Sequence, residues 1–193
     1  MKKSKWLKKD FNRPIYEHEK ELFTKFVEVL ENECPEQVNP SDIFLTGEGP
    51  RILILIIPHK CLDGVSLVIW HDKYEVSFMW SQLGNLHGHE ALEEGVVTNY
   101  VEKREGWSKE FSECLKCELN RLIIVKCKYW FNSTTKYYFK YYIEHNGYDC
   151  IGGTKKGFSF FRRSTPSKTE EFKTSLNSST NLPFYLKPYI YYG

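Results

Sequence analysis

Between residues 51 and 90 the chain holds three β-rich runs in succession, joined by connections too short for anything but antiparallel neighbours. That spacing confines the fold to one built on a β-meander. The runs are Ile52-Leu53-Ile54-Leu55-Ile56-Ile57, closed by Pro58; Val65-Ser66-Leu67-Val68-Ile69-Trp70, after Asp63-Gly64; and Tyr74-Glu75-Val76-Ser77-Phe78-Met79-Trp80, after His71-Asp72-Lys73. In the third run Tyr74, Val76, Phe78 and Trp80 alternate with Glu75, Ser77 and Met79, so one face is expected in the core and the other largely in water. The first run is apolar on both faces and is expected to lie centrally.

Around the meander the pattern changes period. Ile15, Leu22, Phe23, Phe26, Val27 and Leu30 recur at helical spacing behind Asn12 as N-cap and Pro14 in the first turn, which predicts an amphipathic helix over 14–33. Residues 34–40, with Pro35 and Pro40, read as a linker, and 42–46 as a short strand before Gly47-Glu48-Gly49-Pro50 turns the chain. Val96, Val97, Tyr100 and Val101 predict a shorter helix over 90–105. Ser108 caps a third, with Phe111, Cys114, Leu115 and Leu119 as its stripe. Residues 122–131 and 136–143 then form an aromatic hairpin across Asn132-Ser133-Thr134-Thr135. Residues 147–157 read as a turn-rich loop, and Phe158-Ser159-Phe160-Phe161 as one more strand. The section 162–193 reads as irregular, with an aromatic end over 182–192 that is too apolar to float freely and is expected to pack on the body. No internal repeat is present.

With 193 residues the chain can bury a real core without disulfides or a structural metal, and one domain over 1–193 is expected, with a basic extension over 1–12 at its start. The fold class is therefore α+β: a mostly antiparallel sheet, meander plus hairpin, with two or three helices. Thirteen Tyr, thirteen Phe and five Trp exclude a disordered protein. No run reaches the roughly 20 apolar residues that span a bilayer, and no apolar stretch follows the lysine-rich start, so no membrane partner and a cytoplasmic location are expected. The six cysteines are sparse for a disulfide framework and read as free thiols. Cys114-Leu115-Lys116-Cys117 has the spacing of half a zinc site, but no second pair follows to complete four ligands.

Net charge is +2, unevenly spread. Residues 1–9 carry five lysines and no acid, residues 10–120 carry 10 basic and 21 acidic groups, and residues 121–193 carry 12 basic and 4 acidic groups. The acidic stretch suits a basic partner, unless the two halves neutralise each other on folding.

Candidate chemistry gathers after the third strand. His87, His89 and Glu90 put two imidazoles and a carboxylate within four residues, with His59, His71, Asp63 and Asp72 on the same meander. In an extended segment His87 and His89 share a side, as a metal would need, and a metal-dependent hydrolase is one reading. The cluster lacks the HExxH of zinc proteases and the Pro-Cys-x-x-Cys that accompanies the H-x-E of deaminases, so a polar strand end that anchors a loop is the plainer one. There is no Gly-x-Ser-x-Gly elbow and no phosphate-loop consensus; Gly152-Gly153-Thr154-Lys155-Lys156-Gly157 reads as a glycine-permitted turn. No cofactor is expected. A nucleic-acid reading draws on Lys126, Lys128, Lys136, Lys140, Arg162 and Arg163 interleaved with Tyr129, Tyr137, Tyr141 and Phe161. A half-buried hairpin shows the same alternation, and a pI near 8.1 is modest for such a binder.

The order of these elements, with Tyr74-Glu75-Val76-Ser77-Phe78 leading to His87-Gly88-His89 and then the helix-to-strand step over 111–130, resembles the small immunity proteins of bacterial polymorphic toxin and contact-dependent inhibition systems. The resemblance covers about a third of the chain. It implies a cytoplasmic, non-catalytic protein that binds a cognate toxin and blocks its active site or its folding, with Trp80, His87, His89, Glu90, Glu93 and Glu94 as partner-binding residues. Inhibitors of basic nuclease toxins are commonly acidic, and this chain is not. Aromatic anchors at such an interface are sought among Trp70, Tyr74, Trp80, Trp107 and Trp130, although strand aromatics usually pack inward.

Overall fold

The structure is a computed structural model. It describes Trp6 and residues 14–47, 52–62, 64–72, 76–82, 97–98, 106–129, 137–144, 148–156, 166 and 168–178. The order of elements is α1 (Lys20–Glu33), β1 (Phe44–Thr46), β2 (Leu53–Pro58), β3 (Val65–His71), β4 (Val76–Gln82), β5 (Val97–Thr98), α2 (Trp107–Asn120), β6 (Ile123–Tyr129), β7 (Tyr137–Glu144), β8 (Tyr148–Lys156) and β9 (Lys168–Thr174). The strands make two antiparallel sheets, one of five strands in the order β1-β2-β3-β4-β5 and one of four in the order β8-β7-β6-β9. The α+β class holds, and its antiparallel strands are divided between two sheets.

The meander follows from alternation. Leu53, Leu55 and Ile57 on β2, Leu67 and Ile69 on β3, and Val76, Phe78 and Trp80 on β4 point into one core, and their registers match: Leu55 lies opposite Ile69, and Ile69 opposite Phe78. The second sheet repeats the rule with Ile123, Val125, Cys127 and Tyr129 buried on β6, and Lys126 and Lys128 exposed between them. Against these inner faces pack the helical stripes, Leu22, Phe26, Val29 and Leu30 of α1 and Phe111, Leu115 and Leu119 of α2. Phe78 meets Phe111 at 5.7 Å between ring centroids. One contiguous hydrophobic cluster thus runs through both sheets and both helices.

Local chemistry sets the helix ends differently from the sequence expectation. The first helix does not start at Pro14: a 3-10 turn over Glu17–Glu19 precedes α1. The Glu19 carboxylate reaches back to accept the Tyr16 backbone N–H at 2.9 Å, while the Glu19 N–H donates to the Tyr16 carbonyl. This reciprocal pair fixes the helix entry; Asn12 lies outside the described residues. The helix ends where Cys34 takes a left-handed conformation, φ 48°. For α2 the N-cap is Gly106, φ 90°, and Ser108 sits inside the first turn.

Three expectations need correction. Val97–Thr98, read as helix, is strand β5 at the edge beside β4, where Val97 pairs Ser77 and Thr98 pairs Val76; its β-branched side chains favour that state. The rest of the helix expected over 90–105 lies outside the described residues. The loop expected over 147–157 is strand β8 over Tyr148–Lys156, and the glycine turn at 152–153 is part of its ladder. The register shifts between Tyr141 and Tyr142, so Tyr141 faces Gly152 while Tyr142 faces Cys150, and the extra residue, Ile151, turns into the core. Such a bulge lets a glycine-containing strand remain paired. Finally, the section read as irregular contains β9, whose residues Lys168–Thr174 pair with β6. Its sequence is polar because it is an edge strand with one wet face. The strand expected over 158–161 and the aromatic end over 182–192 lie outside the described residues.

Candidate functional site

Of the residues expected to bind a partner, the structure describes Trp80; His87, His89, Glu90, Glu93 and Glu94 lie outside the described residues. Trp80 points into the core, 5% exposed. Its Nε1 donates to the Glu118 Oε2 of α2 at 2.9 Å. Glu118 is buried as well and also accepts Arg121 Nε at 2.7 Å and Arg121 Nη2, while Arg121 Nη1 donates to the Glu144 carbonyl at 2.8 Å. The Glu118 hydrogen bond, with the nearby negative charge, raises the Arg121 pKa against the opposing effect of burial. A buried carboxylate is tolerable because three donors satisfy it. The trio ties the first sheet, α2 and the end of β7 together.

The histidines of the meander do not converge. His71 stands opposite Leu53 at the start of β2, and His59 follows Pro58 at its end. Six residues of strand separate them, roughly 20 Å at 3.4 Å per residue. His59 is fully buried and structural. Its Nδ1 accepts the N–H groups of Cys61 at 3.1 Å and Leu62 at 3.2 Å, which places the proton on Nε2, 3.4 Å from Thr174 Oγ1. Burial, helped by Lys60, lowers its pKa to about 3. Asp63 lies outside the described residues. Among the described residues no three His, Cys, Asp or Glu side chains are grouped as a metal would need. All six cysteines are unbridged thiols; Cys34, Cys117 and Cys150 are exposed, and Cys127 is buried, which pushes its pKa up to about 12.

Most of the acidic groups of the 10–120 stretch that the structure places at the surface lie on the helices, with Glu17 in the 3-10 turn and Glu36 after α1 also exposed. Glu21, Glu28 and Glu31 of α1 and Glu110 and Glu113 of α2 are exposed, with Lys25 paired to Glu28 at 2.8 Å and Lys116 of α2 to Glu33 of α1 at 3.4 Å. Strands β1 to β4, by contrast, contain no Asp, Glu, Lys or Arg.

The absence of charge on β1 to β4 defines the strongest candidate surface. The face of the five-stranded sheet turned away from the core carries an unbroken lateral row, Phe44 opposite Ile56, Ile56 opposite Val68, and Val68 opposite Met79. A second row runs Thr46, Ile54, Trp70, Ser77. Phe44, Ile54, Trp70 and Met79 are half-buried, and Ile56 and Val68 are buried between them. A sheet face that only meets water alternates apolar with charged residues; on this one the partly exposed groups are Phe44, Ile54, the Trp70 indole and the Met79 thioether. The rule that made Ser77 and Met79 the wet side of β4 pointed to this face. The signal that could have found it is the lack of any charge at 44, 46, 54, 56, 66, 68, 70, 77, 79 and 81.

The tyrosines of the basic hairpin divide by the pleat. Tyr129 and Tyr141 are buried in the core, whereas Tyr142, Lys126 and Lys128 stand on the outer face of the second sheet. No helix among the described residues is long and apolar enough to cross a membrane. Comparison with protein-family models, with curated proteins and with solved structures gives no match.

Proposed function

We propose that the protein is a non-catalytic binding module of the immunity type, which neutralises a cognate bacterial toxin domain by docking it on the outer face of the five-stranded sheet. The observation that carries the reading is the uncharged face on which Phe44, Ile54, Trp70 and Met79 stand half-buried around Ile56 and Val68. Tight protein interfaces draw most of their affinity from a few aromatic and Met or Arg anchors within a surface that excludes water. A rigid antiparallel sheet presents such anchors without an ordering cost. The complementary partner is a folded domain with an apolar patch of its own. Trp80, used internally by Glu118, supports this face from beneath.

The test is protection. An immunity gene is expected directly beside its toxin gene, so the adjacent gene product is expressed with and without this protein, and growth and complex formation are measured. Protection and a stoichiometric complex are expected, both lost in Trp70→Lys/Met79→Lys. A His87→Ala/His89→Ala variant that alone loses protection, with metal bound by the parent, would move the function to the histidine cluster.

A further inference from the structure

The outer face of the four-stranded sheet has a character opposite to that of the first. We propose that it is a docking surface for the phosphate backbone of single-stranded nucleic acid, independent of the apolar face. Lys126 and Lys128 project from β6, Lys140 from β7 and Lys173 from β9, all on the side turned away from the core. Among the described residues the carboxylates on this side are Glu171, 3.8 Å from Lys126, and Glu144 at the end of β7.

Two features set this face apart from an ordinary solvated one. Lys126 lies directly opposite Lys140, a like-charge cross-strand pair that destabilises a sheet, where a surface built for solubility alone would alternate signs. Lys126 Nζ also sits 5.0 Å from the centroid of the half-buried Tyr142 ring, so a cation and an aromatic face share one spot.

The spacing selects the occupant. Neighbouring strands lie about 4.8 Å apart, and alternate residues along a strand about 6.8 Å. The backbone positions of the four lysines therefore lie at intervals of roughly 5 to 8 Å between neighbours, and their flexible stems let the amines follow successive phosphates of an extended strand. Lysine acts as a point charge on a flexible stem and needs no fixed phosphate geometry. Binding through the backbone beside the Tyr142 ring implies little sequence preference. A duplex presents a convex surface to this flat face and meets fewer of the amines at once.

The experiment is fluorescence anisotropy of a labelled 12-mer of oligo-dT with the full chain between 50 and 200 mM salt. Four phosphate contacts predict a slope of log Kobs against log salt near −3, from about −0.7 per contact on a single strand. Lys126→Gln/Lys128→Gln, which leaves the pleat and the core face intact, is expected to weaken binding at least tenfold at 50 mM salt and to reduce the slope to near −1.4, with an unchanged circular dichroism melt. Trp70→Lys/Met79→Lys is expected to leave oligo-dT binding intact, which separates this surface from the protein-docking face. Absence of binding at 50 mM salt, binding unchanged in the lysine variant, or equal competition by polyglutamate of matched charge would each overturn the proposal; the last would assign the face to acidic proteins.

Discussion

Trp80 Nε1 donates to Glu118 Oε2 at 2.9 Å across the interface between the first sheet and α2, and the same carboxylate holds Arg121, whose other nitrogen reaches the Glu144 carbonyl. Three elements distant in sequence thus meet at one buried charge. Glu118→Ala removes that charge and strands the three donors of Trp80 and Arg121, with an expected loss of about 3 to 5 kcal/mol in urea denaturation. Trp80→Phe keeps the Arg121 pair and most of the ring, and is expected to cost about 1 to 3 kcal/mol.

His59 makes stability depend on pH. Its folded pKa of about 3 lies below the ordinary 6.5, so between these values the unfolded chain binds more protons. Stability is full above pH 6.5 and falls as pH drops toward 3, by roughly 4 kcal/mol from this group. Protonating Nδ1 also breaks its bonds to the Cys61 and Leu62 N–H groups. In His59→Asn, whose amide oxygen can accept the same N–H groups, the denaturation midpoint is expected to change less between pH 7 and pH 4 than in the parent.

The cysteines differ in reactivity by burial. With iodoacetamide at pH 8, Cys34, Cys117 and Cys150 are expected to alkylate in the native protein, while Cys127, buried and with its pKa pushed up to about 12, labels only after unfolding. Peptide mass spectrometry before and after denaturant reads the order.

Gly106 carries a purely backbone requirement. It caps α2 at φ 90°, and a Cβ added there would meet nothing within 4 Å. Gly106→Ala therefore costs only the conformational penalty, about 1 to 2 kcal/mol, measured as a lower thermal midpoint.

The strands of the meander and the buried stripes of both helices were legible because each is an apolar pattern repeated at the period of its own element. Leu53, Leu55 and Ile57 announce β2, and Phe111, Leu115 and Leu119 announce α2. What sequence reading missed lacks such a pattern. β9 is nearly all polar, and β8 contains Gly152 and Gly153; both are strands because β6 and β7 offer open edges, a tertiary cause. The start of α1 was misplaced because Glu19 caps from within the sequence that follows, while Asn12 and Pro14 carry the stronger local signal. The candidate docking face escaped because its mark is an absence, strands without charge. His87, His89 and Glu90 lie outside the described residues, while His59, after the end of β2, and His71 of β3, opposite the start of β2, form no common centre.

The proposed protein binding by the uncharged sheet face rests on Trp70 more than on any other side chain. Isothermal titration of the adjacent gene's toxin domain with the parent and with Trp70→Ala, whose indole is half-buried on that face, tests it most directly. A stoichiometric complex is expected with the parent, weakened in the variant by about 2 kcal/mol or more, near thirtyfold, with an unchanged melting temperature. Equal affinity in parent and variant, or no complex with the parent, would contradict it.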